Sequence, residues 1–461
     1  MKLDKIKFIG IASLFIFTIQ SCSESDDLVL DNDDLRLSTN ELHSMSNNTI
    51  LEWTELAVNL ERYAAGRPNT TARAMAYVYL AVYETIVPGM EGYESLENEY
   101  RNLSIRNREQ PDSIIWDAAI NAAFATALPH FLYQLPEDLE ASISTLAESK
   151  NETFTLEHDA NLIEASADWG QYVAERVIRF AETDDDAEEQ IANPQPTSYE
   201  PPTGEGFWTY SAEEERALFP YWGESVRTFV INPNETSTVA PIAYSQVEDS
   251  EYYDQMMEVY ETNNEAKDAN EELLWIAEFW SDDVEDLMMS PPMRQISIAN
   301  QLIEQYDLNA EESAVMLLKV GFALNDAAAA AWKHKYDHMV MRPNVFIHDM
   351  IDPEYQTNLY RLIFWPNPTF PSYPSGHSTF ASAAAGVFID FFGNATDFTD
   401  RSHEGRTEFL GDPRTFTSFE QLAEENAYSR IPLGVHMRMD CDEGLRLGYE
   451  IAEAVNNFRL D

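Results

Sequence analysis

The chain has 461 residues, with 29 Lys and Arg against 81 Asp and Glu, and a formal net charge of −52. That charge excludes a protein whose work is non-specific nucleic-acid binding, because phosphates need a basic face. The hydrophobic share of 44% and aromatic share of 12% exclude a mainly disordered chain. The length allows one large domain or two to three smaller ones. Such a charge keeps a chain soluble, and a few buried arginines can still bind a small anion inside it.

The N-terminus reads as a targeting segment. Lys2, Lys5 and Lys7 precede a twelve-residue apolar run, Phe8 to Ile19, too short for a good membrane span and suited to a signal sequence. Ser21-Cys22 closing that run resembles the lipobox of bacterial lipoproteins, although Gln20 is unusual there. The resemblance implies a signal peptide over 1–21, a lipidated Cys22 and an acidic linker over 22–48. The acidic residues Glu24, Asp26 and Asp27 resemble an export signal to the outer surface of a Gram-negative cell, with plain secretion as the alternative. Apart from Cys22 the only cysteine is Cys441, so no intrachain disulfide framework is expected. No second long apolar stretch is evident, so membrane contact is expected through the lipid alone.

Residues 49–461 are expected to form the folded domain. Apolar residues recur at three- and four-residue steps over 71–86, 115–132, 165–181, 271–280, 294–306 and 311–341, and alternating Val-rich stretches are scarce. The expected class is all-α. Between Asp184 and Pro241 lies a Pro-, Gly- and aromatic-rich stretch, expected to be an ordered, irregular excursion packed on the helices. Glu182, Asp184, Asp185, Asp186, Glu188 and Glu189 lack the spacing of a calcium loop and read as solvated.

Three clusters in the last third carry chemistry. Lys335 and Arg342 are seven apart, so on one helix both project from one face, and Pro343 would end that helix. The segment Pro374-Ser375-Gly376-His377 precedes a helix expected to run to Gly393. Ser375 suits an N-cap, Gly376 admits close approach, exposed N–H groups at a helix start bind oxyanions, and His377 would serve there as a proton donor. In Ser429-Arg430 through His436 to Asp440, four residues place His436 and Asp440 one helical turn apart. Asp440 can hold the Nδ1 proton and leave Nε2 as nucleophile or ligand, while Arg430 offers a fork to an oxyanion. Read alone, the first cluster could be surface cations and the second a plain turn. His334 and His338 also lie four apart, without the further ligands that a metal site would need.

In order, the clusters read K-x6-R-P, P-S-G-H and S-R-x5-H-x3-D, spanning residues 335–440, about a quarter of the chain. This resembles the signature of the superfamily joining type 2 phosphatidic-acid phosphatases, bacterial acid phosphatases and vanadium-dependent haloperoxidases. The resemblance implies an all-α bundle with the anion site inside it. It implies that Lys335, Arg342, Ser375, Gly376, His377 and Arg430 hold vanadate or phosphate, that His377 is the acid–base residue, and that His436 is the vanadium ligand or phosphorylated nucleophile, backed by Asp440.

Trp332 and Phe370 resemble the aromatics lining the halide side in the haloperoxidase branch. Phe279-Trp280-Ser281-Asp282, Gly206-Phe207-Trp208 and Pro220-Tyr221-Trp222-Gly223 resemble the upstream region of bacterial members of that branch, whereas Pro291-Pro292-Met293-Arg294 departs from a Pro-Pro-Gly-His run that many of them carry. The resulting expectation is a haloperoxidase using vanadate, hydrogen peroxide and halide, iodide or bromide before chloride, with phosphate competing for the site. A secreted acid phosphatase of the same fold and a non-catalytic binding lipoprotein are the alternatives.

Overall fold

The computed structural model describes residues 40–211, 215–362 and 367–461. The signal segment and Cys22 lie outside the described residues. The segment expected as linker is already folded near its end, since Asn40–Ser44 is helical and Leu42 is buried.

The architecture is all-α. The first helices are α1 (Asn40–Ser44), α2 (Asn48–Glu61), α3 (Asn69–Ile86), α4 (Trp116–Phe131), α5 (Glu137–Phe154) and α6 (Ala160–Ala181). The middle of the chain adds α7 (Asp185–Ala192), α8 (Trp222–Ser225), α9 (Glu251–Asp268), α10 (Glu271–Phe279) and α11 (Pro291–Tyr306). The last third adds α12 (Ala310–His338), α13 (Pro343–Met350), α14 (Gly376–Phe392), α15 (Phe419–Tyr428), α16 (Arg430–Leu433) and α17 (Arg438–Asn457). Two short strands, β1 (Phe398–Asp400) and β2 (Arg414–Phe416), pair antiparallel with Phe398 opposite Phe416.

Sequence pattern explains the centre. Every residue of α3 is buried: its Ala, Tyr, Val and Leu positions pack all round, and the charged Arg73 and Glu84 bond to Glu188 and to the Leu96 N–H. Helix α12 packs against α3 on one side and α14 on another. Its start is fixed by a reciprocal cap, the Asn309 side chain accepting from Glu312 N–H and the Glu312 carboxylate from Asn309 N–H. By length and composition α12 could cross a bilayer, which the sequence reading overlooked; 94% of its most apolar window is buried in protein, so it is the core helix here.

Helices α14 and α17 touch almost backbone to backbone. A methyl group added at Gly448 would lie 2.0 Å from Ser382 Oγ and 2.3 Å from the Thr379 carbonyl, and one at Gly444 would lie 2.6 Å from the Ser375 carbonyl. The absent side chains let α17 lie directly against the start of α14, where the Pro-Ser-Gly-His segment begins.

The stretch 184–241 is more regular than expected at its start. Asp185–Ala192 is helical, and Asp184 is buried, accepting from Arg227 N–H at 3.0 Å, while Glu188 pairs with Arg73 at 2.9 Å. These acids are therefore partly structural, not simply solvated. Beyond them the excursion is irregular and packs on the bundle, as Asp326 of α12 shows by accepting from the N–H groups of Phe229, Val230 and Ile231.

Candidate functional site

The structure brings all three sequence clusters to one buried place, but not by the local geometry first expected. Lys335 and Arg342 are not on one helix. Helix α12 stops at His338, and Met339 takes a left-handed conformation with φ of 53°. The chain then runs extended, with Phe207 and Val340 forming a bridge flanked by Trp208 N–H to Met339 C=O and Met341 N–H to Gly206 C=O. Arg342 is the N-cap of α13, and Pro343 begins that helix instead of ending the previous one. The Gly-Phe-Trp segment thus sets the approach of Arg342.

Lys335 is fully buried, and its ammonium is claimed by the carbonyls of Pro371, Ser372 and Pro374, the first two at 3.2 and 3.0 Å. An ammonium has three N–H groups. Lys335 therefore ties down the turn leading into α14, and its charge reaches the site without a spare N–H. Burial, then the neighbouring Arg342, holds its pKa well below the usual lysine range.

Arg342 donates from Nε to the Phe370 carbonyl and from Nη1 to the Val435 carbonyl, both at 2.9 Å, while its buried Nη2 has no partner among the described residues. Arg430 donates from Nη1 to the carbonyls of Trp280 and Ser281 and pairs through Nη2 with Asp283 at 2.6 Å; its buried Nε likewise lacks a partner among the described residues. Two buried guanidinium N–H groups thus await an acceptor.

His436 precedes α17 and is not on it. Asp440 is the third residue of that helix, and its Oδ2 accepts from Met437 N–H at 3.0 Å, capping the helix start. The same oxygen lies 3.1 Å from His436 Nδ1 and accepts from Ser372 Oγ at 2.6 Å. On its other side, His436 Nε2 lies 3.1 Å from Arg342 Nη1. A guanidinium can only donate, so Nε2 carries a lone pair and Nδ1 carries the proton toward Asp440. Burial and the surrounding cations hold the His436 pKa well below the usual histidine range. Burial pushes the Asp440 carboxyl up to about 6, against the pull of its hydrogen bonds.

Ser375 is the N-cap of α14, its hydroxyl oxygen accepting from Ser378 N–H at 3.3 Å, and its own N–H is taken by the Asp440 carbonyl at 2.8 Å. Gly376 and His377 begin the helix, where N–H groups have no intrahelical partner. A methyl group at Gly376 would meet Trp332 at 3.4 Å, ordinary contact, so the cavity and not the neighbouring protein would lose space.

His377 Nε2 is 3.0 Å from the Ser281 carbonyl. A carbonyl only accepts, so Nε2 carries the ring proton and Nδ1 is the acceptor. Burial, then Arg430, lowers its pKa to about 4. His377 is thus neutral at physiological pH, poised to take a proton where a donor had been expected.

These groups open on a cavity of about 480 Å3 lined by Trp332, Phe370, Gly376, His377, Arg430 and His436. Trp332 and Phe370 pack with ring centroids 4.9 Å apart, and Lys335 Nζ lies 5.8 and 5.1 Å from the two rings. The cations are thereby backed by a low-dielectric wall. His334 and His338 instead meet the hydroxyls of Thr236 and Thr238 at 2.9 and 2.7 Å and do not line this cavity. Sequence reasoning missed Ser372 and Asp283, the partners of Asp440 and Arg430, since single Ser and Asp residues carry no spacing signal. It did pick out the segment containing Ser281, whose carbonyl serves both Arg430 and His377.

Residues 315–460 match the VCPO second helical-bundle domain family. The vanadium chloroperoxidase of Curvularia inaequalis is 24% identical over 277 residues, 48% of this chain and 46% of that protein. Residues 315–460 thus carry a helical-bundle domain of the vanadium chloroperoxidase type, and the chain is similar to vanadium haloperoxidases. Matched this way, the chain spans less than half the length of that curated relative of the branch. Vanadium haloperoxidases among solved structures share the fold over far more of the chain. The crystal structure of a bacterial vanadium-dependent iodoperoxidase covers 90% of this chain and 96% of its own, with a TM-score of 0.78 at 23% identity. The holo form of a bacterial vanadium-dependent chloroperoxidase covers 86% and 93%, with a TM-score of 0.62 at 16% identity.

Proposed function

We propose that this chain is a vanadium-dependent haloperoxidase that uses hydrogen peroxide to oxidise halide, iodide or bromide ahead of chloride. The observation that carries the reading is His436, whose Nε2 lone pair is presented among Lys335, Arg342 and Arg430 while Asp440 holds Nδ1. The donor set fits a tetrahedral oxyanion. The orphaned N–H groups on Arg342 and Arg430 need acceptors, and of the three cations only Arg430 forms an ion pair among the described residues, with Asp283.

Vanadate, when bound, would supply a Lewis-acid centre that activates peroxide toward halide. His436 Nε2 would ligate it. Arg342 Nη2, Arg430 Nε, the Ser375 hydroxyl and the N–H groups of Gly376 and His377 would hold its oxygens, with Lys335 contributing charge. His377 Nδ1, unprotonated at physiological pH, would accept the proton that peroxide must lose. Trp332 and Phe370 exclude water from the face where an easily desolvated halide such as iodide is most at home. Phosphate shares the charge and shape of vanadate and competes for the same donors. Export as a lipoprotein anchored through Cys22 to the outer membrane, facing the cell surface, is part of the same proposal. Loss of lipid labelling in Cys22→Ser supports it, and unchanged labelling refutes it.

The test divides one preparation. The vanadate-loaded half is expected to oxidise iodide only when peroxide is present. Rapid phosphomonoester hydrolysis by the metal-free half, with no peroxide-dependent oxidation by the loaded half, would overturn the reading in favour of the acid phosphatase. Calorimetric titration of vanadate separates the roles. His436→Ala is expected to lose more affinity than Lys335→Ala, which removes a nearby charge but no direct bond to the anion.

A further inference from the structure

Behind the cationic wall lies a second buried cluster that the proposed chemistry does not use. Arg294 of α11, fully buried, grips Asp282 with two parallel bonds, Nε to Oδ2 and Nη2 to Oδ1, both 3.1 Å. Its Nη1 reaches Asp400 of β1 at 3.1 Å, and its Nη2 also donates to the Phe279 carbonyl. His403 Nε2 lies 3.2 Å from Asp282 Oδ1, and the guanidinium stacks on Phe279 and Trp280 at 4.6 and 5.0 Å.

Asp282 itself has a φ of 45°, a left-handed conformation that Asp tolerates better than most residues and that turns its carboxylate toward Arg294 while its neighbours face the other way. The residues on either side face the anion site. The Ser281 carbonyl accepts from His377 Nε2 and Arg430 Nη1, and the Asp283 carboxylate holds Arg430 Nη2. One clamped residue therefore fixes two acceptors that aim two working side chains.

We propose that Arg294 is a positioning residue for the oxyanion site, acting through Asp282 to hold the Ser281 carbonyl and Asp283 carboxylate that orient His377 and Arg430. The proposal rests on reading the site as an oxyanion pocket, not on which reaction the pocket performs.

The test uses Arg294→Lys, which keeps the charge and removes the fork. Asp400→Asn is the control, since it alters the same cluster and leaves the Arg294–Asp282 pair. Calorimetry with inorganic phosphate and with vanadate reads the Arg430 side. The proton resonance of His377 Nε2–H reads the other side and would not move if Arg294 merely supported the fold. Arg294→Lys is expected to weaken both anions about tenfold, as for loss of a well-aligned charge-assisted bond, and to shift that resonance. Asp400→Asn is expected to leave the anion affinities within about twofold of the parent and the resonance in place. Should Arg294→Lys fail to fold, Asp282→Asn carries the same expectations. A folded variant with parental affinities and an unmoved resonance would overturn the proposal, as would equal effects from Asp400→Asn. If the parent binds both anions yet oxidises no iodide, the haloperoxidase reading fails while this test still stands.

Discussion

Replacing Ser372 with Ala removes one hydroxyl and should move the working pH range of the site. The Ser372 hydroxyl donates to Asp440 Oδ2 at 2.6 Å in a place closed to water. A hydrogen bond to a buried charge is worth roughly 1.5–3 kcal/mol. This bond favours the ionised carboxylate, and each 1.36 kcal/mol is about one pKa unit. Burial already pushes Asp440 up to about 6, so losing the bond should raise it by a further one to two units or so. Near neutral pH the parent then keeps mostly carboxylate, while the variant holds mostly acid and cannot receive the His436 Nδ1 proton. The assay is the ratio of parent to variant vanadate affinity, by calorimetry in steps from about pH 5 to about pH 9. Taking the ratio cancels the titration of vanadate itself. The ratio should be largest between the two Asp440 pKa values and shrink at higher pH, where both proteins are ionised. A ratio that stays flat across the range would refute the coupling from Ser372 through Asp440 to His436.

Three other outcomes are expected. His377→Ala should lower peroxide-dependent turnover by about a hundredfold or more, with a smaller change in vanadate affinity, as steady-state kinetics and titration would show. Gly448→Ala should destabilise the fold by about 3 kcal/mol or more in urea unfolding, because the new methyl group meets Ser382 and the Thr379 carbonyl; parental stability would contradict the close approach of α14 and α17. Glu84 is buried, and its pKa is raised from 4.5 to about 7. The folded state therefore binds the extra proton, and stability is lost as pH rises through this window, by at most about 3 kcal/mol. Glu84→Gln should flatten the stability profile between those values.

The helices legible in the sequence were those with an apolar pattern. The expected 71–86 and 294–306 appear as α3 and α11, each beginning slightly earlier, and 115–132 appears as α4. Helix α5 was missed although Leu139, Ile143, Leu146 and Ala147 recur at helical steps, because that stripe is narrow, fully buries only Ile143 and is set among polar and acidic residues. The site residues were legible because their chemistry is unusual: a lysine, two arginines and two histidines at fixed spacings. Their local geometry was not. The seven-residue step from Lys335 to Arg342 suggests one helix face, yet the left-handed Met339 breaks the helix between them. Likewise the four-residue step from His436 to Asp440 suggests a helical turn, while the contact arises from a carboxylate that caps α17. The side chains converge through tertiary packing, which spacing alone does not encode.

The near-contact of α14 and α17 makes the protein unevenly tolerant of mutation. Where two helices meet through side chains, a substitution at one position can be answered by a change at another. At Gly444 and Gly448 the opposing surface includes the main-chain carbonyls of Ser375 and Thr379, which no codon change can shorten. A lineage drifting at these two positions has few second-site remedies. At Trp332 and Phe370, by contrast, ring meets ring, and one partner can shrink as the other grows. The oxyanion seat is therefore the inflexible part of this site, and the aromatic wall is the part left free to vary.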